Sequence, residues 1–476
     1  MYFTFEKLVK AVIAGVVFYS DSHNKEALFA EFYNGANVKC FARLESIEFK
    51  SYLYMKALEV TNGKQSLNDD AAVIYIRKYF THYGFPPKTD VYIRTAGDLE
   101  KGIEYDLKND SQQSVRISKK GWRVATKKKY KFIDASTALP QVIPQKSNEG
   151  LLKLLKPFVN ITGNEYIIFV IWLVQAFCSG HHSALLVRAS HGSGKSSLSR
   201  VIRQILDPSE TDISHMPKDT KSLLCTLSNL YLVCYDNVRS ISVEQSDILC
   251  QAITGATATG RSLYTNNDLY VQKLHNAVVI NGISVSPTES DLAERFLVVN
   301  LKKIDKKSRK REKDLWRSFD EKLPEILGAI FETLHKAMKN FETLSIKDMP
   351  RMADSFADML IIALALGVTE DEFRKIYAEN VEKMMQIRMG TPIVKAVHEL
   401  MDRNPGKRAI EDSAASILTM LKEAYSGNPN DLPADASHLT PKIDKEHENL
   451  SAAGFRVNID DTYQMNTRIK ILRKKK

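Results

Sequence analysis

A glycine-rich loop stands between an apolar run and a helical pattern in this chain. The sequence SALLVRA (183–189) is followed by SHGSGKSS (190–197) and then by LSRVIRQIL (198–206). A glycine-rich loop that follows a strand and opens a helix can curl its backbone N–H groups around phosphate oxygens. The sequence therefore predicts a nucleotide-binding loop within an α/β domain.

Individual residues of this loop have predicted roles in binding ATP and Mg²⁺. Lys195 is expected to reach the outer phosphates, and Ser196 is expected to offer its hydroxyl to Mg²⁺. The loop departs from the pattern G-x-x-x-x-G-K-[ST] at Ala189, where a small residue still fits. The residues predicted to bind the nucleotide are Ser190, His191, Gly192, Ser193, Gly194, Lys195, Ser196 and Ser197.

Two further apolar runs end in polar side chains that suit such a loop. YLVCYD (231–236) ends in Asp236, which we expect to hold Mg²⁺ through water together with Ser196. AVVIN (277–281) ends in Asn281, whose amide is predicted to position the attacking water. These runs and the run before the loop are apolar enough to be central strands of a parallel sheet.

Asn237 directly follows Asp236, where many ATPases have glutamate. Phosphoryl transfer to water depends more on positioning and charge than on a strong base, so hydrolysis is still expected. The amide of Asn237 is one candidate to orient the water, and the carboxylates of Glu244 and Asp247 are the alternatives.

An arginine before the next predicted strand completes the catalytic set. DLAERFLVVNL (291–301) presents Arg295, which is either a surface residue or, in a ring of subunits, an arginine finger for a neighbour's γ-phosphate. The predicted catalytic residues are Lys195, Asp236, Asn237, Asn281 and Arg295.

Composition and periodicity divide the chain into four predicted domains. Residues 1–145 are expected to form a small β-rich α+β domain, and residues 146–305 an α/β core. Residues 306–408 have the apolar spacing of helices, and residues 409–476 suggest a winged-helix-like domain. The stretch 138–150 contains two prolines and a glycine and is predicted to be a linker.

The N-terminal strands are predicted within 90–97, 102–110 and 114–132, after one or two helices. The last of these contains SKKGWRVATKKKYK (118–131), in which Trp122 is a candidate for stacking on a base. The alternative is a solvated, charged hairpin.

The last domain is predicted from a helix, a capped second helix and a hairpin. An amphipathic helix spans 413–425, and Thr440 is expected to cap a second helix with Pro441 in its first turn and Gly454 past its end. A hairpin is predicted within 455–472. Such a domain either binds DNA or serves as a packing or oligomerisation module.

Net charge favours a polyanionic partner, whereas other features argue against a membrane. The chain of 476 residues has a formal net charge of +10, which suits nucleic acid. A second basic run, 302–313, is either a DNA contact or the exposed start of a helix.

The apolar run 167–177 is too short to cross a bilayer and is predicted to be a buried helix. The N-terminus lacks the features of a signal peptide, and the five cysteines lack C-x-x-C spacing, so a reduced, cytoplasmic protein is expected.

The segment between Asp236 and Asn281 resembles the superfamily 3 helicases. The shared elements are TGAT (254–257), RSLY (261–264) and the pair Lys273-Leu274 ahead of Asn281. A closer resemblance, from about residue 26 to the C-terminus, is to a bacterial family of ATP-binding replication proteins of prophages, satellites and other mobile elements. Its motifs are YDNVRSI (235–241), SDILCQAITGATATGRSLYT (246–265), VVINGI (278–283), DLAERF (291–296) and PRMADSFA (350–357).

This resemblance implies an AAA+-type core that assembles into a ring, expected to be a hexamer, and hydrolyses ATP at subunit interfaces. Hydrolysis would be coupled to movement along single-stranded or forked DNA, alongside other replication proteins. A hairpin at 261–275 would enter the central channel, with Arg261, Lys273 and His275 as phosphate contacts. Arg351 would be a sensor arginine, unless it only pairs with a local acid such as Asp354.

Two other functions are compatible with the sequence. No primase motif stands out in residues 1–140, and Asp236 is followed by asparagine, which together suit an AAA+ switch or a defence or interference protein without helicase activity. A small-molecule kinase is disfavoured by the positions of Asn281 and Arg295.

Overall fold

A computed structural model shows a mixed α/β protein with several sheets, as the sequence predicts at this level. The structure describes residues 2–133, 137–189, 192–261, 269–282, 289–304, 311–341, 346–460 and 467–474.

The N-terminal unit packs helices onto one face of a small sheet. Its elements are α1 (Phe5–Val12), β1 (Val17–Asp21), β2 (Leu28–Tyr33), β3 (Lys39–Arg43), α2 (Ile47–Val60), α3 (Asp69–Tyr83) and β4 (Lys88–Thr89). The sheet order is β3-β2-β1-β4, with only the β1–β4 pair parallel. Phe49, Leu53 and Ala57 place one side of α2 in this core, and Ser46 caps the helix. Helices α1, α2 and α3 precede the strands predicted from residue 90, whereas β1 to β3 were not predicted individually.

A second sheet follows and packs against the central core of the chain rather than against the N-terminal core. Its strands are β6 (Thr95–Asp98), β7 (Gly102–Asp106), β8 (Ser114–Ser118) and β9 (Gly121–Ala125). The short strands β5 (Val91–Tyr92) and β10 (Lys131–Phe132) pair in parallel as a separate two-stranded sheet. Strands β6 to β9 form an antiparallel meander in the region where strands were predicted. Alternate residues Ile103, Tyr105, Val115 and Ile117 are buried in the central core of the chain rather than in the N-terminal one. The meander therefore belongs by packing to the α/β core, although the sequence grouped it with residues 1–145.

The stretch 138–150 has no regular helix or strand, yet it is attached to the core at several points. The buried side chain of Gln141 donates to the carbonyl oxygens of Gln204 (2.9 Å) and Ile205 (3.1 Å). Further along, the Gln145 carbonyl lies where a Cβ on Gly328 would stand, so only glycine fits there. The predicted linker is thus a docked segment.

The central unit is built around a parallel sheet of order β12-β15-β11-β16. Its elements are α4 (Leu151–Leu155), a 3-10 turn (Lys156–Phe158), α5 (Asn164–Gln175), β11 (Ala184–Arg188), α6 (Lys195–Leu206), α7 (Thr220–Asn229), β12 (Leu232–Tyr235), α8 (Val243–Thr254), β13 (Thr257–Arg261), β14 (Leu269–Lys273), β15 (Ala277–Gly282), α9 (Ser290–Ala293) and β16 (Phe296–Asn300). Strands β11, β12 and β15 are the three apolar runs that the sequence analysis assigned to a parallel sheet. Helix α5 is the predicted buried helix.

A buried ion cluster fastens the meander side of the molecule to the end of α6. Arg94 is fully buried, and its Nε donates to Asp207 Oδ1 at 2.8 Å. Arg203 lies on the other side of the same carboxylate, 3.5 Å from Oδ2. Asp207 Oδ2 also accepts a hydrogen bond from the backbone N–H of Leu232 at 3.1 Å, which ties the start of β12 to the cluster.

Helices and a small antiparallel sheet form the rest of the chain. The helices after the central sheet are α10 (Glu312–Asn340), α11 (Ala353–Ala365) and α12 (Glu370–Met389). The last unit contains α13 (Pro392–Asp402), β17 (Ala409–Ser413), α14 (Ala414–Ala424), a 3-10 turn (Pro429–Asp431), α15 (Ala436–Lys445), α16 (His447–Ala452), β18 (Phe455–Asp460) and β19 (Arg468–Arg473). Its sheet order is β17-β19-β18, and its core includes α13, so this unit begins before residue 409.

The predicted cap at Thr440 is wrong. Helix α15 begins at Ala436, where Asp435 accepts a hydrogen bond from the His438 amide. Pro441 is consequently inside the helix. Gly454 does follow the end of α16 with a positive φ of 89°, and β18 and β19 form the predicted hairpin.

None of the helices in the described ranges is both long and apolar enough to cross a membrane. None of the five cysteines, all within the described ranges, forms a disulfide: Cys178, Cys234 and Cys250 are buried, Cys40 is half-buried, and Cys225 is exposed.

Replacing Asp207 with alanine should strongly destabilise the protein, because two buried guanidinium groups would lose their carboxylate. We expect a loss of about 3–5 kcal/mol in the free energy of unfolding, measured by urea titration. Asp314→Ala, which removes an exposed carboxylate 2.9 Å from Arg317, is the matched control and should change stability little. Equal stability losses in the two variants would contradict the assigned role of the buried cluster.

Candidate functional site

The glycine-rich loop connects the end of β11 to the start of α6. Gly192 and Gly194 have positive φ values of 76° and 83°, a conformation that glycine adopts at low cost. No side chain caps the N-terminus of α6. The N-terminus of a helix, with its backbone N–H groups and positive dipole end, favours an anion. Ser193 is buried, and Ser197 lies half-buried in the first turn of the helix. Two predicted loop residues, Ser190 and His191, lie outside the described residues.

The polar groups expected to serve phosphate and metal lie together at this end of the sheet. The Ser196 hydroxyl donates to Asp236 Oδ2 at 3.0 Å, and both residues are half-buried. Lys195 Nζ donates to the Ala189 carbonyl at 3.0 Å, which holds the ammonium across the loop. The contact between Ser196 and Asp236 arises because the carboxyl ends of parallel strands share one edge of the sheet.

Asn281 is buried and connects three elements of the site. Its Nδ2 donates to Ser199 Oγ on α6 at 3.1 Å, and its Oδ1 accepts from the backbone N–H of Asn237 at 3.1 Å. Asn281 therefore fixes the turn after β12 relative to the loop helix.

The backbone conformation at Asn237 supplies a reason for asparagine at this position. Its φ is +54°, in the left-handed region that asparagine tolerates and that most other side chains avoid. The side chain is exposed, as are Glu244 and Asp247. Sequence spacing alone does not reveal this conformational requirement.

The candidate arginine finger is paired within its own chain. Arg295 Nη1 lies 2.6 Å from Asp291 Oδ1, with the arginine side chain mostly buried. Arg351 contacts the same Asp291 oxygen at 2.5 Å and Glu294 at 2.6 Å, rather than Asp354. Burial raises the pKa of Asp291, but Arg295 and then Arg351 lower it to a net value below the ordinary one, so the shared carboxylate stays charged.

The predicted DNA contacts lie on or beside an antiparallel hairpin of β13 and β14. Arg261 ends β13, and its side chain lies outside the described part of the structure. Lys273 ends β14 and is exposed. His275 has both ring nitrogens shielded from solvent and stacks on His182 with 5.8 Å between ring centroids. A shielded, neutral imidazole is poorly suited to contact a phosphate.

Sequence reasoning did not identify two polar residues beside the loop. Asn160 Nδ2 donates to the Ser193 carbonyl at 3.3 Å, from the segment that precedes α5. Arg200, one turn into α6 from the loop, pairs with Asp212 at 2.6 Å. Neither stands in a recognisable motif, and only the tertiary contact reveals them.

A divalent ion in this site would be held by Ser196 and Asp236 together with other ligands. Within the described ranges, no three or more His, Cys, Asp or Glu side chains cluster to bind a metal by themselves.

Comparison with known proteins supports a role in replication. A family model described as "Actinomycete integrative conjugative element replication protein" matches residues 151–369, which contain the loop and the site. No curated protein matches the chain.

Similar solved structures include "The A form apo structure of NrS-1 C terminal region-CTR", with 11% identity over 98% of this chain and 99% of that chain and a TM-score of 0.41. A second structure of the NrS-1 C terminal region has 14% identity over 98% of each chain and a TM-score of 0.39. At these scores the overall similarity is too loose to carry an argument.

Stability should fall on acidification because two histidines beside the hairpin are buried. Burial lowers the pKa of His182 to about 4, and burial followed by the charge of His182 lowers that of His275 to about 3. Below about pH 6.5 the unfolded chain protonates both histidines while the folded protein does not, so the unfolding free energy falls by up to about 1.4 kcal/mol per pH unit for each.

We expect His182→Gln/His275→Gln to flatten the dependence of unfolding free energy on pH between 6.5 and 4, relative to the unmodified protein. His447→Gln, which changes an exposed histidine, should leave that dependence intact. An unchanged slope in the double variant would show that these histidines are not the groups responsible.

Proposed function

We propose that the protein is an ATP-dependent, ring-forming DNA helicase or replication initiator of a phage-related mobile element, with an AAA+-type core and ATP hydrolysis at subunit interfaces. The observation that carries the proposal is the contact between Ser196 and Asp236 beneath a glycine-rich loop that opens α6. The family match over residues 151–369 supports the replication context. The last unit, in which strand β17 and the β18–β19 hairpin flank helices, is consistent with a winged-helix DNA-binding domain.

The residues present fit ATP and Mg²⁺. The uncapped amides of α6 and the positive-φ glycines form an anion-binding loop, and Lys195 adds a positive charge. Ser196 and Asp236 are hard oxygen ligands of the kind that Mg²⁺ prefers. Bound together, ATP and Mg²⁺ would supply the γ-phosphoryl group and part of the charge neutralisation required for its transfer to water.

The chain's own residues then position the reactants. Lys195 neutralises charge on the outer phosphates, and Asn281 holds the turn that carries Asn237 at the edge of the sheet. Either the side-chain amide of Asn237 or the carboxylate of an exposed acid, Glu244 or Asp247, orients the water. Because such transfer relies on positioning and electrostatics, a strong base in this position is not required.

Arg295 would complete a neighbouring subunit's site after leaving Asp291. Arg351 already contacts the same carboxylate and can remain its partner, so release of Arg295 does not leave Asp291 without a cation. Turnover would then require assembly, and the hairpin of β13 and β14 would couple it to DNA held in the channel.

Complementation between two inactive variants tests this scheme. We expect Lys195→Ala to lower DNA-stimulated ATPase activity by at least about 100-fold and Arg295→Ala by about 1,000-fold. Mixing the two should restore activity, because an intact Lys195 on one subunit can face an intact Arg295 on the next.

Absence of restored activity in the mixture would refute catalysis across an interface. A forked DNA substrate provides the second measurement: unwinding that requires ATP supports the helicase. An ATPase that neither responds to DNA nor unwinds it would instead indicate a switch, defence or interference protein, the alternative favoured by the non-acidic Asn237.

The left-handed backbone at residue 237 allows a controlled test of its side chain. Asn237→Gly retains the backbone conformation but removes the side-chain amide. Asn237→Asp retains tolerance of positive φ and replaces the amide with a carboxylate. If the amide orients the water, Asn237→Gly should lower kcat about tenfold or more, with a smaller change in KM for ATP. An unaffected kcat would assign this role to another residue.

A further inference from the structure

A cationic groove lies on the meander of β6 to β9, outside the nucleotide site. It has a volume of about 450 Å³, and its ionic lining consists of Lys101, Glu104, Arg116, Lys120, Arg123 and Lys129. The opposite face of the meander is apolar and packs into the central core. The groove is therefore on the outward-facing side of a rigidly supported sheet.

Among the described residues, the one carboxylate in the groove lining is already fully engaged. Glu104 is buried and accepts hydrogen bonds from Ser114 Oγ (2.7 Å), Arg116 Nε (3.1 Å), and the amides of Lys129 (2.7 Å) and Tyr130 (3.0 Å). These bonds also hold the segment carrying Lys129 across the sheet. The ionic groups that remain exposed along the groove are cationic.

Two arginines oppose each other directly across the sheet. Arg116 on β8 is in register with Arg123 on β9. Like charges in this position destabilise a sheet, so their presence requires a compensating interaction. Glu104 compensates Arg116, whereas among the described residues Arg123 has no carboxylate within ion-pairing distance.

The basic run at 118–131 is divided by the fold into internal and groove-facing members. Lys128 pairs with the buried Asp106 at 2.9 Å, and Lys131 pairs with Glu31 at 2.7 Å, so both have structural roles. Lys120, Arg123 and Lys129 are exposed in the groove.

The two aromatic residues of the run also differ in role. Trp122 lies on the apolar face, 5.9 Å from the Phe331 ring centroid, with its indole nitrogen buried, and is not placed to stack on a base. Tyr130 is half-buried in the groove lining beside Lys129, whose Nζ lies 4.8 Å from its ring centroid. The groove thus combines a row of cations with a half-buried aromatic ring, which also packs edge-on against Tyr92 with 5.4 Å between ring centroids.

We propose that this groove binds a single strand of nucleic acid, with Lys120, Arg123 and Lys129 on the phosphates and Tyr130 against a base. A narrow groove with cations and an aromatic side chain follows one backbone and offers a stacking surface, which is the chemistry of sequence-tolerant single-strand binding. The surface lies on a sheet apart from the ATP site and from the β13–β14 hairpin, so it is a separate contact for the strand.

The test uses the full chain without nucleotide and a fluorescent oligothymidine measured by anisotropy. Lys120→Ala/Arg123→Ala should weaken binding at least about tenfold, and the slope of log K against log salt should fall by about 1.4, or 0.7 for each lost phosphate contact. Lys7→Ala/Lys127→Ala removes two exposed cations that do not line the groove and should change neither quantity appreciably. Tyr130→Leu should weaken binding without changing the salt slope.

Lysine acetylation with and without the oligonucleotide locates the contact independently of affinity. We expect the oligonucleotide to protect Lys101, Lys120 and Lys129 from acetylation, but not Lys7 or Lys127. Unchanged acetylation of the groove lysines, or equal losses of affinity in the groove and control variants, would overturn it. Stronger protection by a duplex than by the single strand would overturn the assignment to a single strand.

Discussion

The buried carboxylate of Asp207, held between two guanidinium groups, determines how the separate parts of the chain meet. Taking three charges out of water is costly, and the arrangement is tolerable only while each charge keeps its partners. Arg94 approaches from the β5–β6 segment, Arg203 from α6, and the Leu232 amide from the start of β12. The helix that begins at the glycine-rich loop is thus positioned at its far end by a residue from outside the central sheet.

Much of the central unit can be predicted from sequence because its signals are local. Buried parallel strands are continuous apolar runs, and the loop between β11 and α6 has a distinctive composition. The order of polar strand ends then brings Ser196 beside Asp236. The apolar runs imply the order of the strands, but the distance between Ser196 and Asp236 is known only from the structure.

The features that sequence did not predict depend on long-range contacts. The meander carries ordinary strand patterns, and nothing local indicates that Tyr105 packs against Phe177 and Phe331 rather than within residues 1–145. The same applies to Trp122, whose surroundings become apolar only on folding, and to His275 beside His182. At Thr440 a local cap signal was overridden, because Asp435 provides an earlier cap and the helix accommodates Pro441 as its sixth residue.

The docking of residues 138–150 onto α10 has a mechanical consequence. Gln145 lies against Gly328 with no room for a side chain between them, and its amide donates to the Pro324 carbonyl at 2.9 Å. Together with the Gln141 contacts to α6, these interactions leave the connector few free torsions. If α6 moves in the proposed ATPase cycle, this segment would therefore move α10 with it. A flexible linker would instead change its own conformation and leave α10 in place.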